Sequence, residues 1–495
     1  MLTTFRLCLA LLSVLPLFAQ SLDWTGDVTL FGSTGDESSP LMVTAVNGNS
    51  IRAFCLRDDS QLCSKISTDG GTAWSTSSDT ALTVSAFSAA ADDRFQYLFI
   101  RHAAASAAFL LRCPSASNNW HSYQQIEIAP SRTGNIAASA LMVDALFAPN
   151  EPYLNLCWCE SAASGTVNIW FAQSRNRGES FRQEHNVHSF VTSVDADDGL
   201  TITAAWSGEE ERLLIAAVVD RPGSIPEQIR VFFSDDQGET WSDSGGVDDS
   251  FVSQTEPAIA ALGDYVILSY LRSAYSRYHE LCMSFSYDGG QTFAQPFVIS
   301  DTLTDECSPR LLINPADSLY YLFSLRAEDS IGTATVLMRT GRLDRPWNIS
   351  EALAICEPGS AVLAGGLTAV MNVNGPAVAW TGRFLAGDTD IRFDAAWRGN
   401  SVSGHTFAFP SGIALGSCYP NPFNAMTVLP LMLNRPTPIS IELFDISGRR
   451  VTAFHYSLLP VGEHRILLDL SGLPSGIYMS KIDGCEPVQK LFMIK

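Results

Sequence analysis

The sequence predicts an all-β chain: a ring of seven four-stranded blades, with six as the alternative, followed by a small Ig-like β-sandwich. Three observations carry that expectation. A pattern of the form S-x-D-x-G-x-T-aromatic returns along the chain with strand-like sequence before each copy. Its terminal aromatics stand 46 to 61 residues apart, the size of one propeller blade. No stretch beyond the N-terminus has the apolar period of a three-turn amphipathic helix, whereas short apolar runs bounded by Gly, Asp and Asn recur throughout. Together they define a β-propeller.

The clean copies are Ser67–Trp74 (Ser67, Asp69, Gly71, Trp74), Ser174–Phe181 (Ser174, Asn176, Gly178, Phe181), Ser234–Trp241 (Ser234, Asp236, Gly238, Trp241) and Ser286–Phe293 (Ser286, Asp288, Gly290, Phe293). They resemble Asp-boxes, the hairpin turns of sialidase-like propellers. The short carboxylate accepts backbone N–H groups, the glycine takes positive φ, and the aromatic is expected to pack under the loop. These are folding roles, so the boxes speak to architecture rather than chemistry. Three worn copies keep the offset at Cys113–Trp120, Thr340–Trp347 and Asn400–Phe407, which brings the count to seven.

Each unit reads as a polar lead-in, an inner strand, a hairpin, a very apolar strand, a variable loop, a third strand, the box and an outer strand. In the fifth unit Glu256-Pro257 leads into Ala258–Leu262, Gly263-Asp264 turns the chain, and Tyr265–Leu271 and Leu281–Phe285 follow. Continuous apolar runs such as Leu213–Val219 fit strands covered on both faces. Asp27–Phe31 is expected to close the ring as outer strand of the last blade, which leaves few exposed sheet edges.

Of 495 residues, 46% are hydrophobic and 17% charged, with a net charge of −21. Lysines occur only at 65, 481, 490 and 495. An acidic chain without a basic run argues against nucleic acid and anionic membranes as partners and leaves glycan, protein or small-molecule ligands. Arg6, the apolar run Leu7–Phe18 and Ala19-Gln20 read as a signal peptide, residues 1–19, too short for a membrane anchor. No later stretch reaches membrane-spanning length, and no cofactor motif is present.

Export permits disulfides. Cys55 and Cys63 flank a hairpin turn and Cys418 and Cys485 are alone in the C-terminal region, giving two candidate bridges, with buried free thiols as the alternative. Cys157 and Cys159 share one strand face, where a direct bridge is unfavourable. No metal site is expected: there is no CxxC pair, and Asp195–Gly199 lacks the spacing and distal Glu of a calcium loop.

From about residue 411 the pattern changes. Cys418-Tyr419-Pro420-Asn421-Pro422-Phe423-Asn424, Ile439–Asp445, Gly448–Val451, Gly462–His464, Leu473–Tyr478 and Lys490–Lys495 resemble the C-terminal sorting domain of the type IX secretion system. Alternating runs such as Ser440–Phe444 and Arg465–Leu470 already give a small β-sandwich over 411–495. The resemblance implies export through the periplasm of a Gram-negative-type bacterium, the type IX machinery as partner, and release or attachment at the cell surface. The propeller then spans 20–410.

Asp-box propellers include sialidases, other glycan-active enzymes and non-enzymatic ectodomains, so fold does not choose function. A sialidase needs an arginine clamp, a Tyr–Glu nucleophile and an Asp acid. Its aromatic-Arg-Ile-Pro motif is not found; Ile51-Arg52-Ala53-Phe54 does not match. The second strand of the units tends to end in Arg: Arg57, Arg101, Arg221, Arg272, Arg326 and Arg383, with Glu160 in the odd unit. These fall on the face opposite the boxes, either as a guanidinium ring for carboxylates and sulfates or as local partners of acids such as Asp58, Asp220 or Glu328. Asp248, Asp249, Asp305 and Glu306, expected in inter-blade loops of that face, are the acid or base candidates. The expectation is an exported propeller recognising glycans or other surface ligands, non-catalytic rather than enzymatic. A glycoside hydrolase of acidic glycans and a structural surface protein without a small-ligand site are the alternatives.

Overall fold

The structure, a computed structural model, describes residues 23–397 and 413–493 apart from short stretches, the longest being 116–123, 129–134, 145–151, 192–198 and 416–425. The signal-peptide region, Asp195–Asp198, Asp249, Cys418, the worn copy at 400–407 and most of that at 113–120 lie outside the described residues. All regular structure among the described residues is β, and no helix there is long and apolar enough to cross a membrane.

Up to residue 397 the strands form seven successive antiparallel meanders. Their first strands are Glu37–Thr44, the second part of Ser78–Ala91, Asn135–Asp144, Leu200–Ser207, Gln254–Leu262, Asp305–Asn314 and Ala361–Asn372. Each packs beside the next, and Ala361–Asn372 returns to Glu37–Thr44, so the seven close a ring. Ser78–Ala91 serves two units: Ser78 and Asp79 pair outward with Ser64 and Cys63, while Ala86–Ala91 pair with Gln96–Arg101. The expected closing strand is Val28–Phe31, hydrogen-bonded to Thr389–Trp397 of the seventh unit. Lys65 of the first unit fastens it, donating to the Leu30 carbonyl at 2.7 Å and standing over the Phe31 ring.

The core is divided among the contacts between units. In Glu210–Arg221, Leu213, Ile215, Ala217 and Val219 pack toward the third unit, while Leu214 and Ala216 pack toward the fifth. Burial on both faces is why these strands are apolar without interruption. Seven such clusters follow one another around the ring. An eighth belongs to the C-terminal part, where a three-stranded and a four-stranded sheet share one core containing Leu429, Ile441, Leu443, Leu468 and Leu491.

The four clean boxes share one hydrogen-bond pattern. Ser234 Oγ donates to Asp236 Oδ1 at 2.8 Å and accepts the Gly238 N–H at 2.8 Å; Asp236 in turn accepts the Thr240 N–H. Burial pushes the Asp236 carboxyl up, but these bonds outweigh it and hold the pKa below its ordinary value. The aromatic does not only lie under its own loop. Trp241 donates to the Gly238 carbonyl and meets Phe171 of the preceding unit edge-on at 5.1 Å, and Trp74 meets Phe393 at the same distance. The worn copy at 340–347 leaves Trp347 63% exposed.

The box glycines dock on the preceding unit too. A Cβ at Gly71, Gly178, Gly238 or Gly290 would meet Phe393, Leu110, Phe171 or Leu214. Gly238 has φ +88°, and its Cβ would lie 2.0 Å from Phe171 Cε1, whereas at Gly245, φ +91°, nothing lies within 4 Å. Gly238→Ala therefore adds overpacking to the backbone strain, costing about 2–4 kcal/mol, against about 1 kcal/mol for Gly245→Ala. Urea midpoints of the two variants check this, and equal losses would refute the docking role.

Cys55 and Cys63 sit directly opposite one another, as the hairpin requires, but both thiols are free and fully buried. They stand as the buried thiols that were the alternative to a bridge. Cys157 and Cys159 likewise form no disulfide and pack in one inter-unit core.

Candidate functional site

Loops after the second strands and lead-ins to the first strands share one face of the ring, with the boxes on the other. Six of the seven first strands break register close to that face, between Ser38 and Leu41, Val84 and Ala86, Ile136 and Ser139, Thr255 and Ala258, Cys307 and Arg310, and Val362 and Leu367. In three of them a residue at positive φ precedes a proline: Ser39 (52°), Glu256 (50°) and Ser308 (54°) before Pro40, Pro257 and Pro309. Such bulges re-aim side chains at the rim of a closed sheet. Neighbouring first strands are tied here: Ser88 and Ser139 hydroxyls lie 3.0 Å apart, Thr368 Oγ1 accepts the Met42 N–H, and Glu256 Oε2 accepts the Ser308 N–H at 2.7 Å.

The arginines occupy the last or second-last position of their second strands, but those whose contacts are seen are engaged by the fold. Arg57 donates to Glu37 at 3.2 Å and to Asp79 at 2.9 Å; its partner is not Asp58, which turns the chain at φ 50°. Arg101 donates to the Ile136 carbonyl of the next unit. Arg272 binds Glu280 at 2.7 and 3.0 Å and Asp248 at 3.3 Å, and the same Asp248 oxygen accepts Tyr270 Oη at 2.9 Å. Arg326 is half-buried, Arg383 is exposed, and Arg221 is described only as a strand terminus. Glu160 is buried.

The acid candidates are similarly committed. Asp305 and Glu306 belong to a strand, not a loop, because Glu306 pairs in register with Arg326 and its carboxylate is held by Arg339 in two bonds of 2.6 and 2.7 Å and by Ser324. Asp305 accepts both the backbone N–H and the imidazole of His279, each at 2.9 Å. Asp248 is buried against Tyr270 and Arg272. Burial first, then the charges of Cys282 and Asp248, push the Tyr270 phenol far above its ordinary pKa, the opposite of an activated nucleophile. Arg52, in the segment that departs from the sialidase motif, is buried and donates to the Ser115 carbonyl. No cluster of three or more acidic, His or Cys side chains suited to a metal occurs among the described residues.

Two features of the ring were not singled out by its sequence. One is the channel bordered by the first strands, where Glu256 and Arg310 stand on bulges; the prolines after Glu256 and Ser308 were the available signal. The other is a buried carboxyl pair, Asp144 and Glu211, between the third and fourth units. Burial, then the hydrogen bond to Asp144 and its charge, push Glu211 up well above the carboxylate range.

A family model described as "Secretion system C-terminal sorting domain" matches residues 417–495. The chain thus carries a sorting tail of the type IX system behind an all-β propeller, which marks it for export to the cell surface or beyond and implies contact with that machinery. No curated protein matches the chain. Similar solved structures include a protein of unknown function from Dyadobacter fermentans DSM 18053, at 14% identity and TM-score 0.45, covering 76% of this chain and 99% of that one. An α-L-arabinanase of Penicillium chrysogenum complexed with arabinobiose is 10% identical over 75% of this chain and 98% of its own, with TM-score 0.45. The sialidase of Trypanosoma rangeli with the inhibitor DANA is 11% identical over 94% and 88%, with TM-score 0.38.

Two outcomes follow. Arg272→Ala takes the guanidinium away from buried Asp248, and loses about 2–3 kcal/mol of stability in a urea titration; an unchanged midpoint would show that the pair is not structural. Glu211 favours its neutral form when folded, so its contribution is complete below the ordinary glutamate pKa and is lost progressively as pH rises toward the raised folded value. Glu211→Gln is therefore more stable than wild type at pH 8 and loses less stability between about pH 5 and 8. Equal pH slopes of the two urea midpoints would contradict this.

Proposed function

We propose that this protein is a non-catalytic recognition module of the cell exterior, which binds glycans or other surface ligands on the propeller face opposite the boxes. The observation that carries the reading is that the acid candidates described on that face are already neutralised or bonded: Asp248 by Arg272, Asp305 by His279, Glu306 by Arg339. Hydrolysis of a glycoside needs two carboxyl groups free to exchange protons or attack across the scissile bond. Binding needs only a rigid rim with polar groups aimed into it, and the bulged, proline-fixed first strands supply one. Resemblance of the boxes to those of glycan-handling propellers favours sugars as ligands.

A second reading, a structural surface protein without a small-ligand site, is favoured by the local pairing of Arg57 and Arg272. The full mature chain on a glycan array, beside release assays on the same sugars, separates the readings. Selective binding without turnover is expected. Turnover would replace the reading by a glycoside hydrolase, and silence in both assays would leave the structural role.

A further inference from the structure

We propose that the mouth of the central channel is a binding site for a carboxylate bearing a neighbouring hydroxyl, the chemistry of a uronic acid, with Arg310 as anchor and Glu256 as hydroxyl acceptor. The inference rests on the recognition reading above and names its ligand class and its residues.

Arg310 differs from the arginines at the second-strand ends. It lies on a first strand, Asp305–Asn314, directly after the bulge formed by Ser308 and Pro309, and its side chain is exposed. Its one hydrogen bond among the described residues runs from Nη1 to the Pro309 carbonyl at 2.8 Å, and it makes no ion pair there. The first strands follow one another in a closed ring around the central channel, and Arg310 stands on one of them, at the channel mouth.

The one bond it makes decides what remains. With Nη1 turned to its neighbour's carbonyl, the Nε and Nη2 edge is left, and that edge is the fork that takes a planar carboxylate in two parallel bonds. Glu256, on the first strand of the adjacent unit, commits Oε2 to the Ser308 N–H and keeps Oε1. A bare anion at Arg310 would meet the repulsion of that carboxylate, whereas an acid with a hydroxyl beside its carboxylate gives Glu256 a donor to accept. Pro257 and Pro309, each after a residue at positive φ, fix the two backbone positions before any ligand arrives.

The test is isothermal titration of the full mature chain with glucuronate, glucose and acetate, on wild type, Arg310→Gln and Glu256→Gln, each checked by a thermal melt. Wild type is expected to bind glucuronate with Kd on the order of millimolar or tighter, and the other two probes about tenfold more weakly. Arg310→Gln is expected to lose about tenfold or more of glucuronate affinity, and Glu256→Gln to bind glucuronate no better than acetate. Arg310→Lys, which keeps the charge without the fork, stands in if the Gln variant does not fold, and is expected to be weakened as well. Equal glucuronate affinity in wild type and the Arg310 variant, or no binding up to about 50 mM, would overturn the site. Glycan-array binding that survives Arg310→Gln would sink this site and leave recognition standing. Release of p-nitrophenol from its glucuronide by a chain that still needs Arg310 would retain the site and sink the non-catalytic reading.

Discussion

Burial of both faces of the second strand of each unit is the constraint on which the ring depends. A sheet with one wet face can end where its strands end, but strands such as Glu210–Arg221 place alternate residues into two different cores and need a neighbour on each side. A linear stack would leave two apolar faces open, so closure is required rather than decorative. The seventh interface, between the strands Ala361–Asn372, Gly375–Arg383 and Thr389–Trp397 and the first unit, is made with the help of the N-terminal strand Val28–Phe31, whose Leu30 and Phe31 enter the same cluster as Ile51 and Phe393.

The boxes take their meaning from that closure. Considered alone, Ser234–Trp241 is a well-bonded turn, but its glycine and its aromatic both rest on Phe171 of the preceding unit. Polar side chains follow the same route from one unit to the next: Arg112 donates to the Arg177 carbonyl, Arg212 to the carbonyls of Asp288 and Gly289, and Arg177 to Asp92. Each is a guanidinium with several donors crossing a seam where buried carbonyls or carboxylates would otherwise be left without partners. An arginine-rich, lysine-poor ring is thus explained largely by folding, since a planar fork serves buried carbonyls better than a compact ammonium does.

The architecture was legible in the sequence because its markers are local. A Ser, a short acid, a glycine and an aromatic at fixed offsets make their bonds within eight residues, so the pattern survives without knowledge of the neighbours. What those residues touch across the seam was not legible, and hence the aromatics were expected under their own loops. The same limit applies to the site. Arg57 and Arg272 share a position in the repeat, which sequence shows, but their acids, Glu37 and Asp248, come from lead-ins more than a dozen residues away, which it does not. Cys55 and Cys63 were placed correctly opposite each other, but sequence left open whether they bond or stand as thiols.

Arg310 marks where periodic reasoning stops being useful. An arginine directly after a bulge is aimed by the extra backbone length rather than by the alternation of its strand, and it fills the place that Leu41 and Ala258 hold after the bulges of their own units. It is outside the pairing that engages the strand-end arginines Arg57 and Arg272. In a closed scaffold, a position released from structural work is therefore one where a single unit carries a charged side chain at a place that other units fill with an apolar one. Here that place borders the channel around which the first strands follow one another.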